Sequence, residues 1–138
     1  MLADFDVVVR LFMALLASAL IGAQREKAGH AAGLRTHMLV CIGSTVLTLT
    51  SIEMFPTMPA TIAGAIVTGI GFLGAGTIFR DKNHVRGLTT AASIWAVAGV
   101  GLAFGAGAYF IAIASTVAIL IILELWRIEP PLRKKLNR

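Results

Sequence analysis

Ala60 to Phe79 reads ATIAGAIVTGIGFLGAGTIF, twenty consecutive residues without one charged side chain. As a helix such a stretch is about 30 Å long, the thickness of a bilayer's hydrocarbon core. Backbone N–H and C=O groups find no water there, so a lone stretch satisfies them by becoming a helix. Its two flanks differ in charge. Arg80, Lys82 and Arg86 follow it closely, whereas residues 56–59, which precede it, carry no basic side chain.

The same pattern extends in both directions. Apolar segments cover about 7–23, 38–55, 60–79, 88–105 and 108–126, and together they take up most of the 138 residues. The chain is 57% hydrophobic and 14% charged, with a mean hydropathy of +0.85, too little polar surface for a water-soluble body. This composition excludes a disulfide scaffold, a disordered tail and a soluble enzyme. The net charge of +5 does not mark a nucleic-acid binder, because eleven of the twelve Lys and Arg sit in three clusters: 24–37, 80–87 and the tail 127–138. The alternate connections hold none, and the positive-inside rule places the basic side in the cytoplasm and the N-terminus, with Asp4 and Asp6, outside. The expected fold is all-α: a polytopic bundle of five transmembrane helices forming one domain, residues 1–138, with a short basic cytoplasmic tail. Ala17-Ser18-Ala19 imitates a signal-peptidase site, but a signal peptide has its positive charges ahead of the apolar run, and here they follow it.

Small and polar residues indicate which helix faces look inward, since membrane helices associate by close approach and interhelical hydrogen bonds. In the third span Gly64, Thr68, Gly71 and Ala75 form one smooth face, and in the fourth Ala92, Ala96, Gly99 and Ala103 repeat it, with Gly101 and Gly105 adding a GxxxG. These faces predict that helices three and four make the tightest contact. Gly69 to Gly74 also spells G-x-G-x-x-G, but no strand precedes it and Ile94 stands where an acidic residue would be needed, so no nucleotide or other cofactor is assigned. In the second span His37, Cys41, Ser44, Thr48 and Ser51 fall on one face. That stripe reads either as hydroxyls bonding to their own and neighbouring helices or as a hydrated ion path. His37 and Cys41 alone supply too few ligands for a metal site.

Charges at membrane depth are functional candidates by default. Arg10 has two candidate partners, Glu53 and Asp6 one turn before it, and Glu124 is expected to snorkel toward the basic side beside Arg127. The two basic loops share a layout. Arg25-Glu26 and Arg80-Asp81 are 55 residues apart, and Gly33-Leu34-Arg35-Thr36 and Gly87-Leu88-Thr89-Thr90 are 54 apart, which suggests a tandem hairpin repeat. Arg25, Glu26, Arg35, Arg80, Asp81 and Arg86 are therefore expected to form an electrostatic cluster tying the hairpins together, with Arg35 and Arg86 its strongest bridging members.

The strings LIGAQRE (Leu20–Glu26), AGLRTHMLVCIGS (Ala32–Ser44), GIGFLGAGTIFRD (Gly69–Asp81) and VRGLTTAASIW (Val85–Trp95) resemble the MgtC/SapB family of bacterial inner-membrane proteins, which includes YhiD-like proteins. The resemblance implies a multi-span membrane domain tied to adaptation to low magnesium and acid stress and, in some members, to survival inside host cells. Many members continue into a soluble ACT-like module, and the residues read here end shortly after the last span. In the virulence-associated branch an asparagine tends to stand where this chain has Thr89.

Two functions compete. One is a regulator that docks through its small-residue faces on a membrane partner, for which the resemblance suggests the F-type ATP synthase. The other is an oligomeric transporter or channel subunit for Mg²⁺ or protons, favoured by the polar stripe and the repeat. A five-helix protomer is small for a complete pathway, so a homo-oligomer is expected. No Ser-His-Asp or Cys-His arrangement with an orienting acid assembles an enzyme.

Overall fold

The computed structural model describes residues 2–81 and 84–125. Five helices follow one another: α1 (Asp4–Lys27), α2 (Leu34–Met54), α3 (Pro59–Ala75), α4 (Leu88–Gly105) and α5 (Tyr109–Glu124). Strands β1 (Phe79–Asp81) and β2 (His84–Arg86) form a small antiparallel hairpin between α3 and α4, pairing Arg80 with Val85. Helices α1, α2 and α4 are long and apolar enough to cross a membrane; α3 and α5 are shorter apolar helices. The exterior is apolar too, with Phe72 and Phe110 more than four-fifths exposed. In water so large an apolar surface would be an aggregation liability, and in lipid it is the ordinary outside of a bundle.

Helix α4 is the centre of the bundle and meets all four other helices. Helix α2 packs most extensively on α1 and α4, while α3 and α5 lean on α4 from outside. The core gathers Ala14, Ala17, Ile21, Cys41, Ile94, Val97, Val100 and Phe104. Ala17 and Ser18 are buried in this core, inside the long first helix.

Three features differ from expectation. The third span leaves the helix at Ala75, short of 79, because a glycine-rich turn intervenes: Thr77 N–H bonds to the Gly74 carbonyl, and the Thr77 hydroxyl donates to the same carbonyl at 2.8 Å. The chain then pairs with itself as β1 and β2. Second, the α3 seam does not meet α4. A Cβ added at Gly64, Gly71 or Gly99 would touch nothing within 4 Å, and Ala75 and Ala92 are exposed, with Ala96 half-buried. Third, the closest approach belongs to α4 and α2. A Cβ at Gly101 would overlap the Cys41 carbonyl oxygen, and one at Gly105 would lie 2.7 Å from the Thr48 Cβ. The GxxxG of α4 therefore faces α2, and the expected pairing of α3 with α4 as the tightest contact is corrected. Gly74, 3.4 Å from the Ala91 carbonyl oxygen by the same measure, marks a looser contact between those two helices.

The tandem layout survives at the entries to α2 and α4. Gly33 and Gly87 stand at the two N-caps, and each meets the end of the preceding element. A Cβ on Gly22 would lie 2.8 Å from the Leu34 Cα. At Gly87, where φ is +91°, a Cβ would overlap the Thr77 carbonyl oxygen. Gly22 and Thr77 are themselves 55 residues apart.

Candidate functional site

Glycine-free backbones could not bring α4 so near α2, and that nearness lets short hydroxyl side chains reach carbonyls across the gap. The Ser44 hydroxyl donates to the Ala98 carbonyl at 2.7 Å, and the Thr45 hydroxyl lies 2.9 Å from the carbonyls of both Gly101 and Cys41. Thr48 bonds back to the Ser44 carbonyl at 2.8 Å. On the other side, Ala14, Ala17 and Ser18 of α1 close the face: the Cys41 thiol points to the Ala14 carbonyl at 3.5 Å, and Ser18 donates to the same oxygen at 2.7 Å. His37, Cys41, Ser44, Thr48 and Ser51 are all buried. The polar stripe is thus packed between two helices, and the Ser44, Thr45 and Thr48 hydroxyls meet otherwise helix-bonded carbonyls, which is how membrane helices accommodate Ser and Thr.

At the basic-loop end the stripe opens into a chain of side chains. His37 donates from Nδ1 to the Gly33 carbonyl at 2.9 Å, and its Nε2 lies 3.0 Å from the Ser93 hydroxyl. Ser93 in turn lies 2.9 Å from the Thr90 carbonyl, and Arg25 donates from Nη2 to the Thr90 hydroxyl at 3.2 Å. A carbonyl only accepts, so Nδ1 carries a proton, and the single Ser93 hydroxyl proton is shared between the Thr90 carbonyl and the His37 contact. Arg25, His37, Thr90 and Ser93 are all buried, so this chain links α1, α2 and α4 out of water. In the loop beside it, partial burial and then the Arg25 charge push the His30 imidazole below its ordinary range.

The expected electrostatic cluster is corrected here. Arg25 is only 2% exposed and turns inward to Thr90. Glu26 accepts the Leu34 N–H at 2.8 Å and so satisfies a donor at the start of α2. Arg35, Arg80 and Arg86 are exposed, and among the described residues no ion pair joins Arg25, Glu26, Arg35, Arg80 or Arg86. The Asp81 side chain and the tail 126–138 lie outside what the structure describes. Among the described residues, what links the two hairpins here is the hydrogen bond from the Arg25 guanidinium to the Thr90 hydroxyl.

At the opposite end, Arg10 pairs with Asp6 at 2.6 Å and donates to the Gly105 carbonyl at 2.6 Å, while the Tyr109 hydroxyl donates to Asp6 at 3.0 Å. Of the two candidate partners, Asp6 is the one used. The guanidinium also caps the C-terminus of α4, where the helix dipole favours a cation. Glu53 accepts the Leu2 N–H. Glu124 faces α1, where the Gln24 amide contacts the Leu123 carbonyl at 3.1 Å and a Glu124 oxygen at 3.5 Å, so it is held by a side chain at membrane depth as well as lying near the basic end. Among the described residues, no three His, Cys, Asp or Glu gather where they could hold a metal ion.

Sequence reasoning missed Thr45, Ser18, Thr90 and Ser93. Thr45 was within reach, four residues after Cys41 on the same helix. Ser18, Thr90 and Ser93 carry no periodic signal of their own and become polar partners only once α1 and α4 are docked on α2.

Comparison with known proteins matches residues 11–129 to the model of the MgtC family. Protein MgtC of Salmonella typhimurium (strain LT2) is 47% identical over 116 residues, covering 84% of this chain and 50% of that protein. Protein SapB of Bacillus subtilis (strain 168) is 41% identical over 131 residues, 88% of this chain and 56% of that protein. The Escherichia coli (strain K12) protein named "Putative magnesium transporter YhiD" is 38% identical over 130 residues, 88% of this chain and 60% of its own length. The chain thus spans about half to three-fifths of these relatives. No solved structure matches it. A match over most of the chain, on a bundle of apolar helices, places this protein in the MgtC family.

Proposed function

We propose that this bundle is the membrane domain of a bacterial inner-membrane regulator of adaptation to low magnesium or acid stress, with its basic loops and C-terminal end in the cytoplasm. It acts by helix contacts with a membrane partner, for which the F-type ATP synthase is the candidate. One observation carries the reading: the polar face that could have lined a path is buried between α1 and α4, while the small-residue face of α3 (Gly64, Gly71) is left open on the outside. A smooth outward face permits a partner helix to approach closely.

The test is ATP-driven proton pumping in inverted membrane vesicles with and without the protein. The reading expects the protein to change pumping and Gly71→Leu to abolish the effect while the protein stays folded; unchanged pumping with wild-type protein contradicts it.

The second reading, an oligomeric Mg²⁺ or proton transporter, is favoured by the name of the Escherichia coli relative and by the buried chain from Arg25 to His37. Uptake of Mg²⁺ or protons into proteoliposomes holding only this protein would establish it and displace the first.

A further inference from the structure

Between α2 and α3 runs an apolar groove of about 640 Å³, within the size range of small-molecule sites. Thr36, Leu39, Gly43 and Leu47 line one wall; Ile62, Ile66, Gly69 and Leu73 line the other. Two of the lining positions are glycines, and a Cβ added at Gly43 or Gly69 would meet nothing within 4 Å. The groove therefore has spare depth that the protein's own side chains leave open.

Its extent decides what fits. From Thr36 to Leu47, and from Ile62 to Leu73, is about 16 Å along a helix, or half of a bilayer's roughly 30 Å core. A transmembrane helix of a partner would run the full depth; an acyl chain of one leaflet runs half. One end of the groove, at Thr36 and Leu73, lies at the start of α2 and the end of α3, which is also the end of the basic loops. Arg35, exposed and without an ion pair among the described residues, adjoins Thr36 at that mouth, and the hairpin carrying exposed Arg80 and Arg86 follows α3 there. An exposed guanidinium at headgroup level, above a slot one leaflet deep, complements a phosphate joined to an acyl chain.

We propose that the groove between α2 and α3 is a binding site for an anionic phospholipid of the leaflet on the basic-loop side, its acyl chain between Gly43 and Gly69 and its phosphate on Arg35. The site does not depend on whether the protein regulates a partner or transports an ion.

Delipidated full-chain protein in mild detergent, titrated with phosphatidylglycerol or phosphatidylethanolamine and read by native mass spectrometry, tests it. Wild type is expected to retain phosphatidylglycerol in preference to phosphatidylethanolamine. Arg35→Gln should weaken phosphatidylglycerol about tenfold, the worth of one charge-assisted hydrogen bond, and remove the preference. Gly43→Leu and Gly69→Leu, which fill the groove, should lose both lipids, whereas Gly71→Leu on the other face of α3 should bind as wild type does. As a measurement needing no variant, phosphatidylglycerol with a photoactivatable acyl chain should label Leu47, Ile62 or Ile66 in preference to Val67 and Phe72 outside the groove. Equal retention of the two lipids by wild type, undiminished binding in the filled variants, or labelling spread evenly over the surface would overturn the site. So would a change of oligomeric mass in the filled variants with lipid binding intact, which would make a second copy the occupant.

Discussion

Arg25 brings a guanidinium into a place where water cannot follow, and Thr90 supplies the hydroxyl it meets. Removing that acceptor while keeping the shape isolates its contribution. Thr90→Val should destabilise the protein by about 1–3 kcal/mol, because a buried charged donor is left unmet, whereas Thr89→Val at the exposed neighbour should stay within about 0.5 kcal/mol. Thermal denaturation in detergent separates the two, and equal stabilities would show that Arg25 does not rely on Thr90. By the same logic Arg35→Lys and Arg86→Lys should melt with wild type, since both side chains are exposed and make no ion pair among the described residues. Gly87 is a different kind of residue constraint. Its φ of +91° costs an L side chain about 1–2 kcal/mol, and the added Cβ would also collide with the Thr77 carbonyl. Gly87→Ala should therefore destabilise by more than that conformational term alone; a variant that melts with wild type would mean that the entry to α4 relaxes freely.

At the scale of the helices, two glycine patterns that look alike in the sequence have opposite surroundings. Gly101 and Gly105 press on α2, Gly64 and Gly71 have open space beside them, and Gly99 lines a small cavity between α4 and α3. Gly101→Ala should lower stability by at least about 1–3 kcal/mol, the range for overpacking, while Gly71→Leu should leave the protein folded. Retention of the folded peak by Gly101→Ala together with collapse of Gly71→Leu would reverse the assignment of faces. The existence and order of the five helices were legible, because membrane-length apolar runs are long and the connections between them are charged or turn-rich. Which small-residue face meets which helix was not. Spacing shows that Gly64, Gly71 and Ala75 share a side but says nothing about whether a neighbour occupies it. The stripe from His37 to Ser51 was legible as a polar face for the same periodic reason, and its partners on α1 and α4 were hidden because they come from distant positions in the chain. The charges in the loops misled, since adjacent basic and acidic residues suggest pairing, whereas burial drew Arg25 to Thr90 and an open helix terminus drew Glu26 to Leu34.

For the whole molecule, the asymmetry of basic residues carries the orientation. A reporter fused after Pro59 should report an external location and one after Arg138 an internal one; the opposite pair of results would invert the bundle. In the bundle as folded the polar face of α2 is buried, and that burial separates a packed regulatory bundle from a hydrated pathway. The protein supplies its own probe, because Cys41 is its one cysteine and lies on that face, fully buried. The decisive measurement is the reaction of Cys41 with a charged methanethiosulfonate reagent in native membrane vesicles, compared with a variant carrying Cys41→Ala and Arg35→Cys at the exposed start of α2. Sealed packing predicts complete labelling at position 35 and none at Cys41 until the protein is denatured; labelling of Cys41 in the folded protein would show water reaching the stripe and contradict the account.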